Sequence, residues 1–229
     1  MDVSLNTPVA QLVTDRPARA RIFERLGIDY CCGGDHSLAE ACRKHDFDPK
    51  TVAEMLDVAA DASGPSDTTD WAEASLGALI DHIESAHHAY LRRELPRLER
   101  LLTRVTKAHG DRRAWLRPTL DTFLALKDDL KDHMVSEEEQ VFPSIGALEE
   151  NGTAALDRPG MEQMIEEHDE TGAALDELRD LTSDYTPPED ACPKFRAAMD
   201  GLDELEANMH QHIHKENNIL FPRARSLAE

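Results

Sequence analysis

The sequence is poor in aromatic residues and in cationic ones. Of its 229 residues, 5% are Phe, Trp or Tyr, and 25 Lys and Arg stand against 46 Asp and Glu, a net charge of −21. A core built mainly from Ala, Leu, Ile, Val and Met favours packed helices over a β-sandwich. The acidity argues against nucleic acid and anionic membranes, because both require clustered Lys and Arg. We therefore expect metals, small molecules or proteins as partners, and neither nucleic acid nor membrane.

Long apolar runs and a disulfide framework are also missing. No segment approaches the roughly 20 apolar residues that cross a bilayer. The N-terminal pentapeptide MDVSL lacks the basic and apolar regions of a signal peptide. Cys31 and Cys32 are adjacent, while Cys42 and Cys192 stand alone, which is not the pattern of a disulfide scaffold. These features predict a cytoplasmic protein.

A polar segment divides the chain. Residues 61–70 carry both Gly and Pro and show no helical period, so we predict a linker over 61–71. Residues 1–60 are predicted to form a small helical domain, which is near the lower size limit for stable folding. We expect it to rest on the larger domain or on a second copy of the chain in a homodimer. Its helices are predicted at about 7–13, 16–26, 36–45 and 49–59.

The second domain, residues 72–229, carries four long segments with helical period and no convincing strand. Short stretches with turn-forming residues separate these segments. Four long helices joined by short loops predict an antiparallel up-down-up-down bundle, and the whole chain is therefore expected to be all-α. The four helices are predicted at about 72–108, 113–149, 159–182 and 190–226.

A duplicated motif lies in the second and fourth of these helices. HMVSE begins at His133 and HIHKE begins at His212, and in both a Glu follows the first His by four residues, a Phe by nine and a Pro by ten. Residues i and i+4 share one helix face, and each His–Glu pair lies on the apolar stripe of its helix. A buried carboxylate is costly unless it is compensated. We therefore expect Glu137 and Glu216, with their histidines, to bind cations.

The other two helices should supply ligands at the same depth. His168 is the one histidine on the apolar stripe of the third helix, and it precedes His212 by 44 residues. Counting back from His133 reaches His88 at 45 residues or His87 at 46. The helical wheel does not separate these two, and the repeat spacing favours His88. Four His and two Glu are too many for one tetrahedral zinc and suit two bridged cations such as iron, manganese or zinc.

Residues 72–229 resemble hemerythrin-like domains, in which such motifs bind a non-haem di-iron centre. The resemblance implies two iron ions per chain with oxo and carboxylate bridges. Oxygen-carrying hemerythrins place a further histidine four residues after the third-helix ligand, where this chain has Gly172. The missing ligand implies an open coordination position, which favours reaction with small molecules over reversible oxygen carriage. The implied ligands are His88, His133, Glu137, His168, His212 and Glu216, with the two glutamates bridging.

The N-terminal domain carries Tyr-Cys-Cys-Gly-Gly at 30–34, ahead of a predicted helix. Ser37 and Glu40 fit a capping box, which places both thiols just before a helix N-terminus, where the dipole favours the thiolate. The two glycines should let the backbone turn tightly and expose the thiols. We predict a redox or iron-relay role for Cys31 and Cys32.

Together, this segment and the bundle closely resemble the repair-of-iron-centres (RIC) family of the ScdA/YtfE type over nearly the whole chain. The resemblance implies repair of iron–sulfur clusters damaged by nitrosative or oxidative stress. It also implies nitric oxide binding or reduction at the di-iron site, iron donation, and damaged iron–sulfur proteins and nitric oxide or oxygen species as partners. Whether the chain is an enzyme of the nitric oxide reductase type stays open. The alternatives are a sensor or reservoir that binds oxygen, nitric oxide or iron without turnover, and a structural bundle without metal.

Several polar residues near the motifs are expected to have ordinary roles. Glu138 and Glu139 rotate off the ligand face and are interpreted as helix surface charges. For Asp129 and Glu167 we favour a solvated face over a position beside the metal ligands or in a polar channel to the metals. We expect a surface or packing role for His82, solvated positions for His210 and His214, and structural or incidental thiols at Cys42 and Cys192.

Overall fold

The computed structural model describes residues 3–61, 69–152 and 155–229. Within these ranges the regular structure is helical, apart from an isolated bridge between Pro8 and Ser37, so the all-α prediction is confirmed. Most of the predicted linker, residues 62–68, lies outside the described residues. No helix in the described part of the chain combines the length and apolarity needed to cross a bilayer. The α-helices are α1 (Val9–Asp15), α2 (Ala20–Leu26), α3 (Leu38–Lys44), α4 (Pro49–Asp61), α5 (Leu76–His82), α6 (Ala89–His109), α7 (Leu116–Ser136), α8 (Phe142–Asn151), α9 (Arg158–Thr182), α10 (Pro193–Lys215) and α11 (Phe221–Leu227).

Three π-helical turns and one short 3-10 helix complete the secondary structure of the described residues. The 3-10 helix, Pro17–Arg19, leads into α2. The π turns join α5 to α6, α7 to α8 and α10 to α11, so that each pair forms one long helical segment. These turns are Ile83–His88, Glu137–Val141 and Glu216–Leu220.

The chain divides into two compact units. The first consists of Met1–Leu79 with His210–Glu229, and the second is Ile80–Met209. One boundary between the units therefore falls within α10. The predicted division at residues 61–71 stays a prediction.

The second unit is a helical bundle. Helix α6 packs against α7, and α7 packs against α9. The first part of α10 packs closely on α6, because a Cβ added at Gly201 would come within 2.6 Å of the Leu98 side chain. Arg179 of α9 donates to Glu206 of α10 at 3.0 Å. These contacts bring at least part of each of the four predicted long helices into this unit.

The first unit has its own apolar core. Phe23, Tyr30, Leu38 and Leu56 are almost fully buried in it. Polar contacts join the N-terminal residues to the C-terminal segment of the same unit, since Asn218 Nδ2 donates to the Cys31 carbonyl at 2.9 Å and Gln211 Nε2 donates to Glu24 at 3.3 Å. The N-terminal helices therefore pack on the C-terminal end of their own chain.

Close packing around Gly34 in the first unit leaves no room for a side chain. A Cβ at this position would lie 2.5 Å from the Cβ of Ala10 and 2.8 Å from the Tyr30 carbonyl oxygen. Because neither atom belongs to a flexible side-chain end, we expect Gly34→Ala to lower the free energy of unfolding by about 1–3 kcal/mol, measured by chemical denaturation.

Gly146→Ala is the matched control. It lies in α8, and a Cβ there would meet no atom within 4 Å. Because Ala favours a helix over Gly, this change should leave stability unchanged or raise it by about 0.5–1 kcal/mol. Equal losses in both variants would contradict the steric explanation for Gly34.

Candidate metal centre

Both copies of the duplicated motif lie at π-helical turns. The amide of Phe142 donates to the carbonyl of Glu137, and the amide of Phe221 donates to the carbonyl of Glu216, each across five residues. The proline after each phenylalanine lacks an amide hydrogen and stands in the first turn of the next α-helix, where proline is tolerated. Inserted π turns occur frequently at functional sites, because they redirect side chains within a helix.

Glu137 is the central carboxylate of the second unit. It is fully buried, with Oε2 3.2 Å from His88 Nε2 and Oε1 3.3 Å from His133 Nε2. Each oxygen therefore faces a different imidazole, which is the arrangement a carboxylate needs to bridge two cations. His168 Nε2 lies 3.1 Å from His133 Nε2. The candidate ligand atoms of His133, Glu137 and His168 lie within 4.8 Å of one another.

The other predicted ligand pair, His212 and Glu216, belongs to the first unit. His212 Nε2 lies 2.9 Å from Glu216 Oε1, and both side chains are fully buried. His212 is in the last turn of α10, and Glu216 begins the π turn that follows. The pair therefore repeats the local geometry of His133 and Glu137.

Glu138 contacts the Nδ1 atom of the candidate ligand His88, so the interpretation of Glu138 as a surface charge is wrong. Its Oε1 lies 2.6 Å from His88 Nδ1, and Arg92 Nη2 donates to both of its oxygens at 2.6–2.7 Å. Burial opposes ionisation, but hydrogen bonds from Arg92 and His88 outweigh it and lower the pKa of Glu138. A carboxylate on Nδ1 fixes the ring and directs Nε2 toward Glu137.

Glu167 contacts the Nδ1 atom of another candidate ligand, His133. Its Oε2 lies 2.7 Å from His133 Nδ1, and Gln163 donates to its other oxygen at 2.7 Å. The solvated-face interpretation of Glu167 is therefore wrong. Two of the predicted ligands thus have an anionic partner that orients them.

The two adjacent histidines of the first long segment have different surroundings. His88 meets Glu137 and Glu138, whereas His87 Nδ1 lies 3.3 Å from Asn208 Oδ1. The His87 ring also meets the His82 ring edge-on at 5.7 Å. The π turn Ile83–His88 changes the helical phase here, which explains why a uniform helical wheel does not separate the two.

An acidic cleft of about 270 Å³ leads to His133 in the second unit. Four of the eight polar residues that line it are acidic, and one of these four, Asp129, is exposed. Negative charge along such a cleft raises the local concentration of cations. Its polar lining comprises Asp129, Asp132, His133, Ser136, Gln163, Glu167, Glu170 and Thr171.

The two thiols in the first unit differ from each other. Cys31 is buried and Cys32 is partly exposed, with their Sγ atoms 3.8 Å apart. The predicted capping box is confirmed, since Ser37 Oγ accepts from the Glu40 amide and the Ser37 amide donates to Glu40 Oε2. The predicted thiolate is wrong for Cys31: the hydrogen bond to Cys32, burial and the Asp29 carboxylate raise its pKa well above the usual range.

Asp29 organises this turn, a role that was not predicted from the sequence. Its Oδ1 accepts from the amides of Cys31 at 2.8 Å and Cys32 at 3.0 Å and from the Cys31 thiol at 3.2 Å. Its Oδ2 accepts from the Gly33 amide at 2.7 Å. Burial alone would raise the pKa of Asp29, but these hydrogen bonds lower it. An Asp ahead of a glycine-containing turn is a recognisable signal for such bonding.

His214 is buried, so its expected exposure is wrong. Its Nδ1 lies 3.4 Å from the Tyr30 carbonyl oxygen and its Nε2 lies 3.4 Å from Thr14 Oγ1. Burial, with the charge of Lys215, lowers the pKa of His214 to about 4. His210 is half-buried, and the Tyr30 ring meets it edge-on at 6.1 Å. Both histidines are shielded from solvent because the N-terminal residues of the same unit cover this end of α10.

Comparison with known proteins adds two family matches. Residues 79–224 match the hemerythrin HHE cation binding domain, and residues 5–60 match a domain of unknown function, DUF542. The chain is 36% identical to the iron–sulfur cluster repair protein YtfE of Dickeya chrysanthemi, over 94% of this chain and 95% of the relative. It is 32% identical to the iron–sulfur cluster repair protein ScdA of Staphylococcus haemolyticus, over 93% and 95%. A YtfE of Salmonella paratyphi B is 34% identical, over 95% and 96%.

The helical bundle, its buried His and Glu side chains and the domain match define a hemerythrin-like cation-binding protein. All six predicted ligands fall within the matched range of that domain. The relatives extend the similarity over the N-terminal cysteine-bearing residues. The chain belongs to the ScdA/YtfE family of iron–sulfur cluster repair proteins.

Glu138→Ala should weaken metal retention, because His88 loses the carboxylate that orients it. We expect about a 10–100-fold loss of affinity, which is typical when such a partner is removed. Competition with a chelator, followed by metal analysis, measures the effect. Glu139→Ala is the control, since Glu139 is exposed on the same turn. Equal retention in wild type and Glu138→Ala would refute the orienting role.

Proposed function

We propose that the protein binds two iron ions per chain and takes part in repair of iron–sulfur clusters damaged by nitrosative or oxidative stress. The observation that carries the proposal is Glu137, a buried carboxylate whose two oxygens face two different imidazoles. The relatives named as iron–sulfur cluster repair proteins support the biological role. The proposed iron ligands are His88, His133, Glu137, His168, His212 and Glu216.

The donor chemistry fits iron. Imidazole nitrogens and carboxylate oxygens suit borderline divalent cations, and hemerythrin-like domains supply such donors from facing helices. Six donors exceed the tetrahedral set of a single zinc site. The carboxylates of Glu138 and Glu167 leave Nε2 of His88 and His133 directed toward Glu137. The sequence repeat assigns the same ligand role to His212 and Glu216.

Bound iron would supply a redox centre that binds nitric oxide or an oxygen species. The chain contributes the surroundings of that centre. Gly172 lies in α9 one turn after His168 and offers no side chain that could act as a ligand. The acidic cleft beside His133 connects one proposed ligand to solvent. A small molecule therefore has both room and access at this side of the bundle.

The proposed partners follow from this chemistry. Nitric oxide or oxygen species would react at the metal, and damaged iron–sulfur proteins would be the clients. All four cysteines are free thiols, which is typical of the reducing cytoplasm. We propose that the protein acts there, with Cys31 and Cys32 as redox or iron-relay groups. A homodimer is also proposed from the small size of the N-terminal domain, although its helices already pack on the C-terminal end of the same chain.

Reactivation of an iron–sulfur enzyme damaged by nitric oxide tests the function. Iron-loaded protein should restore its activity, and His88→Ala should lose both bound iron and this effect, because a ligand is removed. His87→Ala is a matched control one residue away, since His87 contacts Asn208. Retained iron and full repair in His88→Ala would contradict the assignment.

Gly172→His tests the open coordination position. A histidine one turn after His168 would supply a further imidazole, so nitric oxide turnover should fall about 10-fold or more while iron stays bound. Turnover is measured as nitrous oxide formed with an added reductant. An unchanged rate would refute this account.

The same assay separates the proposal from its rival. A catalyst converts many equivalents of nitric oxide per chain, because the reductant restores the centre after each cycle. The sensor or reservoir alternative saturates at about one or two equivalents.

A further inference from the structure

The pair of thiols in the first unit is built asymmetrically. Cys31 is 4% exposed, whereas Cys32 is partly open to solvent. The thiol of Cys31 donates to Asp29 Oδ1 at 3.2 Å and lies 3.8 Å from the Cys32 sulfur. Two adjacent cysteines in a flexible turn would be exposed to solvent to a similar extent. In this turn, Cys31 is held in the interior of the unit.

The Asp29 carboxylate fixes the backbone of this turn. One oxygen of its carboxylate receives the amides of Cys31 and Cys32, and the other receives the amide of Gly33. Three consecutive amides therefore converge on one side chain, which fixes the backbone on both sides of the thiols. The carboxylate also favours the protonated form of a nearby thiol, because a thiolate beside it would repel it.

Contacts on the other side of the turn limit its rotation. The Cys31 carbonyl accepts from Asn218 Nδ2 at 2.9 Å. The Gly34 carbonyl accepts from the Ala10 amide at 3.0 Å. The backbone on either side of the two cysteines is thus bonded to two other segments of the same unit, the π turn that carries Asn218 and helix α1. A backbone rotation that exposed Cys31 and buried Cys32 would break these hydrogen bonds together.

We propose that Asp29 is a positioning residue that keeps Cys31 as a buried thiol and presents Cys32 as the thiol that reacts with thiophilic electrophiles and metal ions. In such a reaction Cys32 releases its proton to water, and its sulfur forms the new bond without oxidation or reduction. Cys31 stays protonated, with its hydrogen directed to Asp29. The inference rests on the proposed function only for the physiological ligand, ferrous iron.

Site-resolved alkylation tests this assignment. Iodoacetamide forms a sulfur–carbon bond and releases iodide, and fragmentation mass spectrometry of the full-length protein separates Cys31 from Cys32. In wild type, Cys32 should react at least about 10-fold faster than Cys31. In Asp29→Ala the ratio should fall below about threefold, because Cys31 loses its acceptor and the turn loosens. Similar rates for the two thiols in wild type would overturn the proposal.

Two further variants separate positioning from loss of folding. Asp29→Asn keeps one oxygen acceptor, so its rate ratio should lie between those of wild type and Asp29→Ala. Asp35→Ala, an exposed acid in the same turn, should keep the wild-type ratio. A wild-type ratio in folded Asp29→Ala would also refute the role of Asp29.

Single cysteine variants keep the test independent of Asp29→Ala. The remaining turn thiol of Cys31→Ser should react about 10-fold faster than that of Cys32→Ser. Equal rates would again contradict the proposal. Iron per chain is measured on the same samples: absent iron with asymmetric alkylation overturns the proposed function alone, and bound iron with symmetric alkylation overturns this inference alone.

Discussion

The proposed metal centre depends on the contacts of one buried carboxylate. The two oxygens of Glu137 face His88 and His133. An ionised carboxylate is expensive to bury without compensating charge. Neutral imidazoles give hydrogen bonds but no net charge, whereas cations shared with those imidazoles would supply it. The rest of the second unit supports this contact, because Glu138 and Glu167 orient the two rings from behind.

The π turns tie this chemistry to the backbone. Each begins or ends at a proposed ligand, with His88 at one end of its turn and Glu137 and Glu216 at the start of theirs. In the first unit, the turn that starts at Glu216 also carries Asn218, which bonds the Cys31 carbonyl. One helical turn therefore presents a proposed ligand and holds the thiol-bearing segment. The proposed ligand and the pair of thiols in that unit are therefore linked through the same helical turn.

The sequence predicts the helices well, because amphipathic period and turn residues are local properties. The all-α class and the capping box of Ser37 and Glu40 are confirmed. The surroundings of Glu138, Glu167 and His214 are mispredicted, and Asp29 is missed, because each depends on contacts or on a π turn that a uniform helical wheel cannot represent. The duplicated motif nevertheless identifies the candidate ligands, since a repeat needs no knowledge of the fold.

Iron per chain, with the visible spectrum, tests the central claim most directly. The protein is purified without oxygen, analysed for iron and then exposed to air. We predict about two iron ions per chain and the absorption bands of an oxo-bridged di-ferric centre. A chain that holds no stoichiometric iron even after reconstitution would contradict it, and the His and Glu side chains would then form a site for another metal or a polar core.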